Sequence, residues 1–279
     1  MLEPTVDLHL HTRFSDGTET PERVVELAHE AGLSAIAITD HDNVEALPVA
    51  APVAKRLGIE LIAGIEMSAS AGGRDVHLLG FFIDPAHAAF RKHLSEQQAR
   101  RIQRVHQTAE QLKHVGINLD PAEVLALAGA GTVGRPHVAR ILLKHGYVSS
   151  MPDAFDRYLA EGKPGFVSGS VVLPAGIIKL IRDAGGVPVL AHPIYLKNDD
   201  LVAQFTREGL VGLEVYHSSH TPDVIARYER IADELKLLPT GGSDFHGDAK
   251  EGLPVGAVKA PYRLLEALRQ WKASHDKAR

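Results

Sequence analysis

Two histidines two positions apart, His9 and His11, stand near the start of a chain with 16 histidines and no cysteine. They close the alternating run Val6-Asp7-Leu8-His9-Leu10-His11. Side chains alternate across a strand, so this pattern predicts Asp7, His9 and His11 on one face, with the two histidine Cα atoms roughly 7 Å apart. Two imidazoles on one face can converge on a cation. Imidazole with carboxylate and no thiolate suits zinc, manganese or iron.

The elements that must position these groups follow from the hydrophobic pattern. Short apolar runs at 6–11, 35–39, 61–66, 76–83, 187–191, 211–216 and 238–241 alternate with amphipathic stretches, which predicts strands alternating with helices. Thr20-Pro21 opens one helix and Gly32 stops it; Pro174 to Gly185 and Pro222 to Lys236 repeat the logic. Seven such strands fit an α/β fold of parallel strands and outer helices, a distorted (β/α)7 TIM-like barrel. Between about 90 and 166 only helical patterns occur. Residues 101–165 therefore read as a helical insertion, with 1–100 and 166–279 forming the barrel.

Donors recur at the strand ends. Asp16 follows the first strand, His41 follows the second and Glu66 ends the third. His77 lies on the fourth, His192 follows the fifth, and Asp244 and His246 follow the last. In a parallel barrel these ends share one face. A buried carboxylate facing several imidazoles is costly without a compensating cation, so the convergence predicts a metal site. Asp40 and Asp42 have a simpler alternative role as caps of the next helix. His29, His87, His93, His106, His114, His145 and His275 fall on helices or their flanks and read as ordinary histidines.

Composition narrows the function. Hydrophobic residues make up 44% and charged residues 23%, as in a globular protein. The net charge of −5 offers no basic field for long nucleic acid and favours a small substrate. No apolar run is long enough to span a membrane and no basic leader precedes the first strand, so a cytoplasmic protein is expected. No obligate protein partner is indicated.

The motifs Asp7-Leu8-His9-Leu10-His11, Ser15-Asp16-Gly17, Thr39-Asp40-His41, Gly64-Ile65-Glu66, His192-Pro193 and Gly242-Ser243-Asp244-Phe245-His246 together resemble the PHP (polymerase and histidinol phosphatase) family over essentially the whole chain. The likeness is strongest to PHP phosphoesterases of the TrpH type, which carry a helical insertion in the same place. The resemblance implies three divalent metal ions, with manganese favoured over zinc or iron. His9, His11, Glu66 and Asp244 would hold the first. Glu66, as a bridge, would hold the second with His77 and His192. Asp16, His41 and His246 would hold the third.

Such a centre suits phosphate monoester hydrolysis. The resemblance implies action on the 3′-phosphate of nucleoside 3′,5′-bisphosphates. Alternatives are a 5′-3′ exoribonuclease on short RNA, a histidinol-phosphate phosphatase or a non-catalytic PHP module. Asp16, His217 and His220 are the candidate catalytic residues, the two histidines as proton donors to the leaving group. For the phosphate that is not cleaved, Arg135 and His137 flank a predicted helix N-terminus, which attracts anions. Arg13 and Lys163 are further substrate-binding candidates, each with a plain solvated role as the alternative. Tyr195 or Tyr158 could support the base.

Overall fold

A computed structural model describes residues 3–169, 172–250 and 252–276. The expected domain ends at 1 and 279 lie outside the described residues. Strands β1 (Thr5–Leu10), β2 (Ala35–Ile38) and β3 (Glu60–Ala71) are parallel neighbours. Strand β4 (Arg74–Phe81) runs antiparallel between β3 and β5 (Val187–Leu190). Strands β6 (Gly212–His217) and β7 (Leu238–Gly242) continue in parallel from β5, and the short β8 (Ala260–Pro261) lies antiparallel on β1. The sheet then rolls shut. The Asp244 N–H donates to the His9 carbonyl at 2.9 Å and the His11 N–H to the Phe245 carbonyl at 2.9 Å.

The expectation of a distorted TIM-like α/β barrel holds, with two corrections. The strands are not all parallel, and an eighth, two-residue strand is present. The first correction has a local cause. Gly72 and Gly73 have φ of +59° and +81°, and join β3 to β4 as a two-residue hairpin in place of a crossover helix. This reversal matters for the site. An antiparallel strand must bring its donor to the rim from its beginning, and His77 is the fourth residue of β4. Leu79 and Phe81, further on, go down into the core.

Strict alternation in β1 also fails. Its register against β2 shifts between Asp7 and Leu10. Leu8 packs with Val6, Ala35 and Val189, whereas Leu10 packs with Ile36 and Ile38 in a different cluster. Asp7 does not join the histidines. It accepts hydrogen bonds from the Ser243 and Gly256 backbone at 2.8 and 2.9 Å and so ties down the return loop.

Helices α1 (Pro21–Glu30), α2 (Ala46–Leu57), α7 (Pro174–Asp183), α8 (Asp200–Arg207) and α9 (Pro222–Leu235) cover the barrel, and α10 (Tyr262–Asp276) seals Leu264, Leu265 and Leu268 against the cluster of Val6 and Leu8. The Thr20 side chain caps α1 by accepting from the Arg23 N–H, ahead of Pro21, as its sequence predicts. Between β4 and β5 come α3 (Ala88–Lys113), α4 (Pro121–Ala128), α5 (Arg135–Lys144) and α6 (Met151–Ala154), which runs on as a π-helical turn, Phe155–Leu159. Helix α3 crosses residue 100 without a break. Its Phe90 and Leu94 pack on the barrel, and its Val105, Ala109 and Leu112 build a separate cluster with α4 and α5. Among the described residues no helix is long and apolar enough to cross a membrane.

The closure of the barrel depends on a bare backbone at Gly242. A Cβ there would stand 2.4 Å from both the nitrogen and the Cβ of His9. Gly242→Ala should therefore force β1 and β7 apart and lower stability by about 3 kcal/mol. A denaturant midpoint equal to that of the parent would disprove this closure.

Candidate metal centre

The donors expected from sequence meet at the open end of the barrel. The Nε2 atoms of His9 and His11 lie 3.1 Å apart. Glu66 Oε2 is 3.2 Å from the first and 3.1 Å from the second. Asp244 Oδ1 is 3.4 and 3.3 Å from the same two nitrogens. A tetrahedral cation with donors at about 2.0–2.1 Å needs donor separations of about 3.3 Å. These four atoms therefore fit a single ion.

The other oxygen of Glu66 faces away from this set. Oε1 is 2.9 Å from His77 Nδ1 and 2.9 Å from His192 Nε2. A third group gathers Asp16, His41 and His246 beside His11. His246 Nε2 is 3.2 Å and His11 Nδ1 3.7 Å from Asp16 Oδ1, and His41 Nε2 is 3.7 Å from Asp16 Oδ2. Asp16 Oδ1 and His41 Nδ1 are buried without a hydrogen-bond partner. Buried polar atoms are nearly always satisfied, so orphans inside a nitrogen–oxygen cluster fit a cation. None of the seven histidines read as ordinary enters these sets.

The electrostatics are those of a site built for positive charge. Burial opposes ionisation of Glu66 and Asp244, yet the surrounding histidines hold both carboxyls well below the usual range. Burial also lowers the pKa of His11, but Asp244 and Glu66 overcome it and raise the ring to about 10. His41, where burial dominates, falls to about 3. Two donors sit on strained backbone: φ is +56° at Asp244 and +25° at His192. Such positions persist where surrounding structure enforces them.

Neighbouring groups hold the donors. Asp40 and Asp42 are not helix caps. Asp40 accepts from the Thr12 N–H, the Thr12 hydroxyl and the Ser15 hydroxyl at 2.7, 2.7 and 2.6 Å, fixing the loop that carries Asp16. Asp42 accepts from Arg101 at 2.8 Å and from the Ser68 N–H at 3.0 Å.

The candidate catalytic histidines stand at the edge. His217 Nδ1 accepts from the Ser219 N–H at 3.1 Å, leaving Nε2 to carry the proton, 3.3 Å from Asp244 Oδ2. His220 lies beyond it and donates to the Val215 carbonyl at 2.8 Å. Arg135 pairs with Asp75 at 2.8 Å and lies over the Phe166 ring. His137 accepts the Gly134 N–H at 3.1 Å and is buried, which pushes its pKa down to about 4, so it enters as a neutral capping ring. Arg13 and Lys163 are exposed.

Sequence reasoning passed over Glu214, Arg101, Arg104 and Lys250. Glu214 is fully buried and 2.9 Å from His9 Nδ1. A carboxylate between Leu213 and Val215 in a strand was the available signal. Lys250 Nζ is 2.8 Å from Asp244 Oδ2. Arg101 and Arg104 sit in a polar stretch of α3, where nothing local marks them. Burial, followed by repulsion from Arg101 and Arg135, lowers Arg104 to about 10, and it makes no hydrogen bond among the described residues. Arg101 and Arg104 line a small cavity of about 30 Å³ with Asp42, Ser68 and Gly169, whereas Arg135 lines a separate cavity of about 280 Å³ with Asp75, Glu161, Phe166, Tyr195 and Lys197.

Known proteins resemble this chain over most of its length. The PHP domain model matches residues 7–161. The chain is 35% identical over 257 residues to the 3′,5′-nucleoside bisphosphate phosphatase of Chromobacterium violaceum, covering 90% of each. It is 38% identical over 278 residues to the 5′-3′ exoribonuclease Rnm of Escherichia coli, covering 93% of each. A crystal structure from Bifidobacterium adolescentis, described as a metal-dependent phosphoesterase, superposes with a TM-score of 0.87 at 31% identity, covering 94% of each chain.

The raised pKa of His11 sets a pH dependence for metal-free protein. Its stabilising contribution is complete below the unfolded value near 6.5 and is lost as pH rises to about 10. Melting temperatures of chelator-treated protein should therefore fall across this window. Excess manganese should remove most of the slope, because a bound cation replaces the protons. A flat metal-free profile would count against the arrangement.

Proposed function

Since the chain belongs to the PHP family of phosphoesterases, we propose that it removes the 3′-phosphate of nucleoside 3′,5′-bisphosphates, giving phosphate and a 5′-mononucleotide. The observation that carries this reading is the adjacency of two unlike sites: a dense cluster of metal donors and, next to it, a set of three arginines. Arg101 is close enough to His77 to influence its ionisation. Arg101 and Arg135 already have carboxylate partners, and Arg104 has no acceptor among the described residues. An unsatisfied, partly buried guanidinium beside two others favours a phosphate, which takes charge-assisted bonds from all of them.

The assignment of residues follows. His9, His11, Glu66 and Asp244 would hold one cation, Glu66, His77 and His192 a second, and Asp16, His41 and His246 a third. Manganese is the favoured occupant, with zinc or iron as competitors for an all-nitrogen and oxygen site. When bound, such cations supply a nucleophilic hydroxide near neutral pH and neutralise the phosphoryl group.

The residues of the chain do the rest. Arg101, Arg104 and Arg135 take the 5′-phosphate, in place of the pair Arg135 and His137. Phe166 and Tyr195 line the cavity of Arg135 and offer faces to the base. His217 is better placed than His220 to protonate the leaving oxygen, because its Nε2 stands 3.3 Å from Asp244 Oδ2 at the donor cluster, whereas His220 bonds the Val215 backbone. Asp16 acts through the third donor set. On this reading residues 101–165 are a substrate-capping insertion on a barrel formed by 1–100 and 166–279. The close similarity to an exoribonuclease favours a second reading, in which the same cleft takes the 5′ end of a short RNA.

Adenosine 3′,5′-bisphosphate should be turned over in the presence of manganese, and dialysis against a chelator or His9→Ala should abolish this. Absence of turnover with manganese would overturn the proposal. Stepwise shortening of 5′-phosphorylated oligonucleotides, with the bisphosphate untouched, would favour the second reading.

Arg104→Ala should raise KM for the bisphosphate by roughly 10-fold or more, the worth of a charge-assisted hydrogen bond. The same substitution should leave adenosine 3′-monophosphate, which lacks the 5′-phosphate, nearly unaffected. Equal effects on both substrates would remove Arg104 from the second phosphate.

A further inference from the structure

Glu214 lies outside the three donor sets assigned above, yet it is fully buried beside them. Both of its oxygens are engaged. Oε1 is 2.9 Å from His9 Nδ1 and Oε2 accepts the His192 N–H at 2.7 Å. The first contact decides which nitrogen of His9 is free. With its Nδ1–H on Glu214, the ring turns an unprotonated Nε2 toward His11, Glu66 and Asp244. The second contact bears on backbone strain. His192 has φ +25° and ψ 63°, outside the favoured regions for a residue with a side chain, and its N–H is secured by the same carboxylate.

We propose that Glu214 is a positioning residue that sets two metal donors at once: the tautomer and orientation of His9 in the first set, and the backbone of His192 in the second. The inference rests on the metal-centre reading given above. It also explains why a carboxylate stands in a strand whose flanking residues, Leu213 and Val215, are fully buried. The two groups hydrogen-bonded to Glu214 are both N–H donors, so the position requires two acceptors. A glutamine of the same size has one. If its oxygen took the His192 N–H, its amide would face His9 Nδ1. The imidazole would then accept at Nδ1 and carry its proton on Nε2, where a ligand needs a lone pair.

The test is a calorimetric titration of metal-free protein with manganese, with folding checked by circular dichroism. Wild type, Glu214→Gln and Glu214→Ala are compared, the last with and without formate. Glu214→Gln should weaken binding at the sets containing His9 and His192 by on the order of 10–100-fold, the usual effect of losing a partner of a metal-ligating histidine. The third set, Asp16 with His41 and His246, should keep its affinity. Formate should restore part of the loss in Glu214→Ala, because it returns two acceptor oxygens to the space.

Folded variants that bind manganese as the wild type does would overturn the proposal while leaving the metal centre intact. A uniform loss across all sets, unrelieved by formate, would also overturn it, by showing a merely structural role. A wild type that takes up no manganese would overturn the metal-centre reading and this inference together.

Discussion

The open end of the barrel is organised around one buried carboxylate. Glu66 is 1% exposed, and five imidazoles crowd it. His77 and His192 face one oxygen at 2.9 Å; His9, His11 and His41 face the other at 3.2, 3.1 and 3.3 Å. A carboxylate withdrawn from water costs several kcal/mol unless opposite charge compensates it. Protons alone compensate badly here, because five adjacent rings cannot all be charged. The rings divide: His9, His11 and His77 are raised, while burial lowers His41 and His192. Divalent cations concentrate the same positive charge into fewer centres and leave every ring neutral, which is the form in which imidazole ligates.

That constraint dictates much of the surrounding backbone. Donors from separate strands must meet within about 3 Å, closer than regular pleated strands deliver them. The register shift in β1, the left-handed residues Asp244 and His192, and the bare backbone at Gly242 are local departures that bring the groups together. Each is held by polar groups outside the three donor sets. Asp7 anchors the Ser243 and Gly256 backbone, Asp40 fixes the Thr12–Ser15 turn, and Glu214 secures His9 and His192.

The donors were legible in the sequence because their types are rare at strand ends and their spacing repeats the strand–helix rhythm. His9, His11, His41, Glu66, His192 and Asp244 could be collected from that rhythm alone. The direction of β4 could not, since an apolar strand reads the same in either sense; only Gly72-Gly73 carried the information, as a hairpin turn. The groups that hold the donors were also obscure. Asp40 and Asp42 look like helix caps until tertiary structure supplies Thr12, Ser15 and Arg101 as their partners. The arginines of α3 were hidden for the opposite reason. On a long polar helix, a guanidinium facing a cleft and one facing solvent have the same local sequence.

The helical segment between β4 and β5 is bonded to the loops that carry the donors. The Thr132 N–H donates to the Phe14 carbonyl, Arg140 donates to the Asp16 carbonyl, and Arg101 joins Asp42 to the Val133 carbonyl. Asp42 directly follows His41, so the third donor set is gripped from two sides by the element that presents Arg101, Arg104 and Arg135. On the proposed reading, these bonds fix the distance between a cleaved phosphate over the metals and a retained phosphate on the arginines. Selection for a bisphosphate then lies in the hydrogen bonds between these helices and the barrel, which hold two anion sites at one spacing. Long cationic side chains reaching from a flexible lid would accept many spacings and distinguish little.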